Sequence, residues 1–156
     1  MMKKLILCFA LASLMMVGCS SSSADQVTKL ELNQSSTNGT LTTKMELVHD
    51  GKKVYNQNQE SVINASSEST YEAMLTSIKS YDLDTKAKNY EGAEYILTED
   101  KDNLKITETI NIDLTKLSAE GYKEMTLGQA TPEENYYIDY EQTIDNLESQ
   151  GFKIVE

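Results

Sequence analysis

Clustered carboxylates suit a hard cation, and Glu99-Asp100-Lys101-Asp102-Asn103 brings three of them together. Counted from Asp100 as a calcium loop, the run has no glycine at its sixth position and Asn111 at its twelfth. It therefore reads as a solvated hairpin tip, with Asp100 and Asp102 as the residues that would hold a cation. A second cluster is aromatic: Tyr136, Tyr137 and Tyr140 follow Glu133 and Glu134. Tyrosine faces beside carboxylates suit a sugar, and a carboxylate pair suits glycoside hydrolysis. The spacing of Tyr137, Tyr140, Ile144 and Leu147 is that of one helical stripe, which points to packing instead. His49, the single histidine, excludes sites needing two, such as H-E-x-x-H zinc. A Ser-His-Asp triad needs only one, but His49 ends a predicted strand just before Asp50-Gly51 and is expected to be solvated. Glu108 interrupts the apolar row Leu104, Ile106, Ile110, Ile112 and Leu114. It is expected at a sheet edge or beside a lysine, the alternative being a buried acid of perturbed pKa. These residues supply no credible set of nucleophile, base and metal ligands, so neither an enzyme nor a bound cofactor or metal is expected.

Cys19 stands in the most specific context. Lys3 and Lys4 precede Leu5 to Val17, a run of 13 residues that is apolar except for Ser13. That is the layout of a secretory signal, and it falls short of the ~20 apolar residues a spanning helix needs. Met16-Val17-Gly18-Cys19 resembles a bacterial lipobox, with Met16 where leucine is more usual. Such a cysteine receives diacylglycerol on sulfur, becomes the mature N-terminus and is then N-acylated. Each buried methylene is worth ~0.8 kcal/mol, so paired chains hold stably where one would exchange. The expected location is the extracytoplasmic face of a cell membrane, held there by lipid. Cys8 would leave with the signal, so the mature domain would have no disulfide, thiol nucleophile or thiolate metal site.

Cleavage before Cys19 takes 18 of the 156 residues and leaves 138, enough for one domain with a real core. The formal charge of −11 includes Lys3 and Lys4, so the mature chain carries −13. All 14 basic residues are lysine, and without arginine there is no planar fork for phosphate. A chain this acidic is repelled by nucleic acid and by anionic membranes, so no nucleic-acid partner is expected.

Residues 19–39 are rich in Ser, Asn, Gln and Thr and read as a flexible tether, within which Val27 to Leu32 could add a short edge strand. The single folded domain is then expected over residues 40–156. Leu41 to His49 alternates as a strand, Asp50-Gly51 signals a two-residue type I′ turn, and Lys52 to Asn64 returns. The polar middle Asn56-Gln57-Asn58-Gln59 points to an edge or a bulge. Ser69 and Glu72 form a capping box for a helix from Thr70 to Tyr81, extending towards Lys88 at most. A second hairpin pairs Ala93–Thr98 with Leu104–Leu114. One helical turn is expected at Thr115–Glu120, with mostly loop from Tyr122 to Asn135. Asp139, with Gln142 three residues on, caps a second helix that Gly151 ends, and a short strand through Phe152 and Ile154 closes the chain. The expected fold is α+β: a small two-layer domain with an antiparallel sheet of about four strands, two helices on one face and ββαββα order.

This order of elements resembles the YehR-like bacterial lipoproteins. The resemblance rests on the lipobox, the lysine-rich hairpin His49-Asp50-Gly51-Lys52-Lys53, the capped helix, Ile112-Asp113-Leu114 and Gln150-Gly151-Phe152-Lys153. It implies a two-layer α/β fold of unknown function, and of site residues it carries over only the lipidated cysteine, onto Cys19. The functional expectation is a lipid-anchored lipoprotein that binds an envelope protein or supports the envelope without catalysis. A small-ligand or cation receptor using Tyr136, Tyr137 and Tyr140, or Asp100 and Asp102, is the alternative.

Overall fold

The computed structural model describes residues 26–127 and 137–155. Three long strands come first: β1 (Gln26–Ser36), β2 (Gly39–His49) and β3 (Lys53–Ala65). Helices α1 (Glu68–Lys79) and α2 (Leu83–Asn89) follow, then the hairpin β4 (Ala93–Asp100) and β5 (Lys105–Asp113). The chain closes through α3 (Ala119–Met125), β6 (Ile138–Asp139), α4 (Tyr140–Ser149) and β7 (Lys153–Val155).

Every strand pairs antiparallel in one seven-stranded sheet of order β4-β5-β3-β2-β1-β7, with β6 added to the start of β3. This corrects the expected architecture. The described residues hold seven strands, not about four, and four helical segments, not two, in the order βββααββαβαβ, not ββαββα. The expected tether contains β1, which pairs with β2 over its whole length, so the sheet starts at Gln26 and not near residue 40.

The largest departure is β3. Its polar middle, expected at an edge or a bulge, lies in the centre of the sheet between β2 and β5, with a register shift beside Asn56. Gln57 and Gln59 point inward and are each 5% exposed. Local polarity carries no information about strand order, because order is set by distant partners. The inward side chains of neighbouring strands share one face: Leu30 meets Met45, Met45 meets Gln59, and Gln59 meets Ile110. On that face Ile63 and Ile106 pack with Tyr71 and Ile78 of α1. A larger cluster joins Leu30, Met45, Leu47, Ile110 and Ile112 to Leu83, Tyr122, Met125 and Leu147 of the remaining helices. The opposite face carries Thr42, Lys44, Glu46, Asn58, Glu60, Thr109 and Asn111, none of them buried.

Caps and turns decide where the helices lie. α1 starts two residues before the expected box, because the Ser67 side chain accepts the Thr70 N–H. Asp82 sits at φ 54°, a left-handed conformation that ends α1 and makes α2 a separate helix. The Ser118 hydroxyl accepts the Gly121 N–H and starts α3 within the expected helical turn, and the helix then runs on to Met125, into the stretch expected to be mostly loop. The Asp139 cap, with Gln142 N–H as its partner, and Gly151 at φ 98° are as the sequence predicts.

Candidate functional site

The β2–β3 connection is the three residues Asp50–Lys52, and the register shifts at Val48/His49, where His49 pairs with Val54. Gly51 takes φ 88°, whereas Asp50 is not among the described residues with positive φ, so the expected type I′ turn does not form. Asp50 organises the loop with its side chain. One carboxyl oxygen accepts the Lys52 and Lys53 N–H groups at 2.8 Å, and the other accepts the Tyr55 hydroxyl at 2.5 Å. These donors hold the Asp50 pKa down to about 2, the Tyr55 hydroxyl having the largest effect.

His49 is 2% exposed, not solvated. Its ring stacks on Tyr140, with centroids 3.7 Å apart and planes at 10°. The Gly51 N–H donates to Nδ1 at 3.0 Å, which leaves the proton on Nε2 to donate to the Thr28 hydroxyl at 2.9 Å. Thr28 then reaches the Tyr140 hydroxyl at 2.9 Å. Burial lowers the His49 pKa against the opposing pull of Asp50. With both nitrogens engaged and one ring face covered, His49 has no free lone pair for a proton or a metal. It joins β1, the β2–β3 loop and the start of α4. Tyr137, half-buried, lies under the Lys53 ammonium at 4.6 Å. Tyr136, Glu133 and Glu134 lie outside the described residues, as does Cys19.

The acidic turn is at the other end of the sheet and shares nothing with these tyrosines. Both Asp100 carboxyl oxygens are taken by Asn103, one by its N–H at 3.2 Å and one by its side-chain amide at 2.8 Å. Asn103 accordingly holds the Asp100 carboxyl below its usual pKa. Lys101 turns back to Glu68 and Glu72 of α1, at 2.9 and 3.1 Å, and these push its pKa up to about 12. Asp102 is exposed. No group of three or more His, Cys, Asp or Glu side chains among the described residues is arranged to hold a metal ion.

A polar seam crosses the covered face of the sheet. Thr43 and Ser61 hydroxyls are 3.1 Å apart, and the Gln59 amide donates to Ser61 at 3.2 Å. Opposite Ser61 lies Glu108, 3% exposed, in β5, which is flanked on both sides. Its expected place at an edge or beside a lysine is thereby corrected: its partner is the Tyr95 hydroxyl at 2.7 Å. Burial raises the Glu108 pKa, and the tyrosine bond only partly offsets it. The buried carbonyl of Gln59 has no hydrogen-bond partner among the described residues. The sequence signal for this seam was the break in alternation at Asn56–Gln59 together with Glu108.

Since the folded state resists ionising Glu108, that residue's contribution to stability falls as pH rises above the ordinary 4.5. Glu108→Gln keeps an acceptor for Tyr95 and removes the buried charge. It is expected to stabilise the domain by about 1–2 kcal/mol at neutral pH, and by nothing measurable near pH 4. Paired thermal melts at the two pH values check both halves. Next to this pair, a groove of about 430 Å³ runs between the α1–α2 junction and β4, floored by Tyr95, Leu97, Ile78 and Leu83.

Comparison with known proteins gives the fold alone. The NMR structure of Escherichia coli YehR superposes with a TM-score of 0.57 at 20% identity, covering 85% of this chain and 94% of that one. The NMR structure of a protein from Streptococcus pneumoniae TIGR4 gives a TM-score of 0.51 at 12% identity, covering 92% of both chains. The fold is thus YehR-like. No family model matches the sequence, and no curated protein matches it.

Proposed function

We propose that the protein is a lipid-anchored lipoprotein on the extracytoplasmic face of a membrane, related to the YehR-like lipoproteins. Its domain binds an envelope protein and does no chemistry. The observation that carries this reading is the order Lys3-Lys4, the apolar run Leu5 to Val17, then Gly18-Cys19. Two features of the fold support the non-catalytic half: His49 has both ring nitrogens engaged, and Glu108 is held by Tyr95 inside the sheet's covered face. The test is cross-linking on intact cells, followed by recovery of the protein from the membrane fraction. A distinct envelope protein should be captured reproducibly, and the Cys19→Ser variant should lose it. Recovery of only the protein itself, time after time, would overturn the binding role.

The receptor alternative keeps one structural support, the groove beside Tyr95, because Asp100 and Tyr140 are already engaged. A saturable rise in melting temperature with a small ligand, lost when Leu97→Arg fills the groove, would favour it over a protein partner.

A further inference from the structure

We propose that the end of the domain where β1 begins is a docking surface for the lipid bilayer that holds Cys19; this rests on the anchored reading above. Only six residues, Ser20 to Asp25, separate Cys19 from Gln26. Whatever their conformation, seven Cα–Cα steps span at most ~25 Å. Gln26 is therefore confined close to the lipid. Gln26 pairs with His49, so the β2–β3 loop is confined with it, and Tyr140 comes too through its stack on His49.

The side chains at this end suit a bilayer boundary. Four large apolar residues are exposed among the described residues, and three of them, Val27 (56%), Ile154 (52%) and Val155 (39%), lie on the β1–β7 edge. Val155 pairs with Lys29, two residues from Val27, and Val27 lies opposite Val48. Val155 and the Val27–Val48 pair thus lie diagonally on the face that no described helix covers, with the Lys29–Glu46 ion pair at 3.3 Å beside them. Lys52 is exposed at the loop beside it, and Lys53 reaches over the Tyr137 ring. Lysine and tyrosine together are suited to the headgroup level. The only carboxylate within that loop, Asp50, already accepts three hydrogen bonds. The acidic hairpin and the β1–β2 turn occupy the opposite end, ~35 Å along the strands. A few exposed valines would not hold a free domain on lipid, but the anchor keeps them there at high local concentration.

The full-length lipidated protein in phosphatidylcholine vesicles tests this, because the chain contains no tryptophan to interfere. Val27→Trp and Val155→Trp place reporters at the docking end, and Thr37→Trp places one at the far end. Brominated acyl chains should quench the first two several-fold more than the third. Equal quenching of all three, on protein that floats with the vesicles, would overturn docking and leave the anchor standing. Shielding of Val27→Trp and Val155→Trp from aqueous iodide without bromine quenching would also overturn it, placing a second copy on that edge. Protein that neither floats nor carries the mass of the lipid would overturn the anchored reading, and docking with it.

Discussion

His49→Ala is expected to cost the domain about 3 kcal/mol and to lower its melting temperature by roughly 10 °C. Removing the ring leaves a gap against Tyr140, strips the Gly51 N–H of its acceptor and takes one of the two partners of the Thr28 hydroxyl. A solvated histidine would cost a few tenths of a kcal/mol at most. His49 also gives the fold a pH dependence of definite sign. The unfolded chain takes a proton near the ordinary 6.5, while burial of the ring disfavours its charged form, and the Gly51 N–H already occupies Nδ1. Stability from this corner is therefore full above 6.5 and drains away as pH falls below it. Urea titrations from pH 8 to pH 5 should show the loss in the parent chain and its absence in His49→Ala. Equal slopes in the two proteins would mean that another group controls the acid side.

Gly39→Ala is expected to cost more, about 4 kcal/mol, and to leave much of the chain unfolded at body temperature. Gly39 opens β2 at φ 135°, in a region that only glycine occupies freely. A Cβ there would stand 2.0 Å from the Asn64 carbonyl oxygen and 3.0 Å from the Ala65 Cα. Both are backbone atoms of the paired central strand, so neither can rotate away. The clash would force apart the β2–β3 ladder, on which the central part of the sheet depends. Gly51→Ala is the control, since its Cβ would meet nothing within 4 Å and only the strain of φ 88° would remain. Far-ultraviolet circular dichroism with urea unfolding separates the two. Equal stability in both variants would show that backbone strain, not the contact with Asn64, sets the cost.

Features held by neighbours in sequence were legible. Asp139 with Gln142, and Gly151 after α4, involve residues a few positions apart, and the predicted cap and left-handed turn are present. Leu41 to His49 alternates cleanly because one side of β2 faces the core. Features held by distant partners were not legible. β1 looks like a polar linker because only Leu30 and Leu32 are fully buried, and its place is fixed by hydrogen bonds to β2 and β7. Asn56–Gln59 looks like an edge because buried amides in a central strand need partners that no local pattern displays. The same applies to the site. His49 owes its burial to Tyr140, and the bond network through Thr28 spans 112 residues of chain.

The mass of the N-terminal peptide of the protein from a membrane fraction tests the central claim most directly. A mature chain beginning at Cys19, heavier by a diacylglycerol and a further acyl chain, is the predicted result. The Cys19→Ser variant should lose that added mass and leave the membrane fraction. An unmodified Cys19 in a protein that remains with the aqueous fraction would contradict the account.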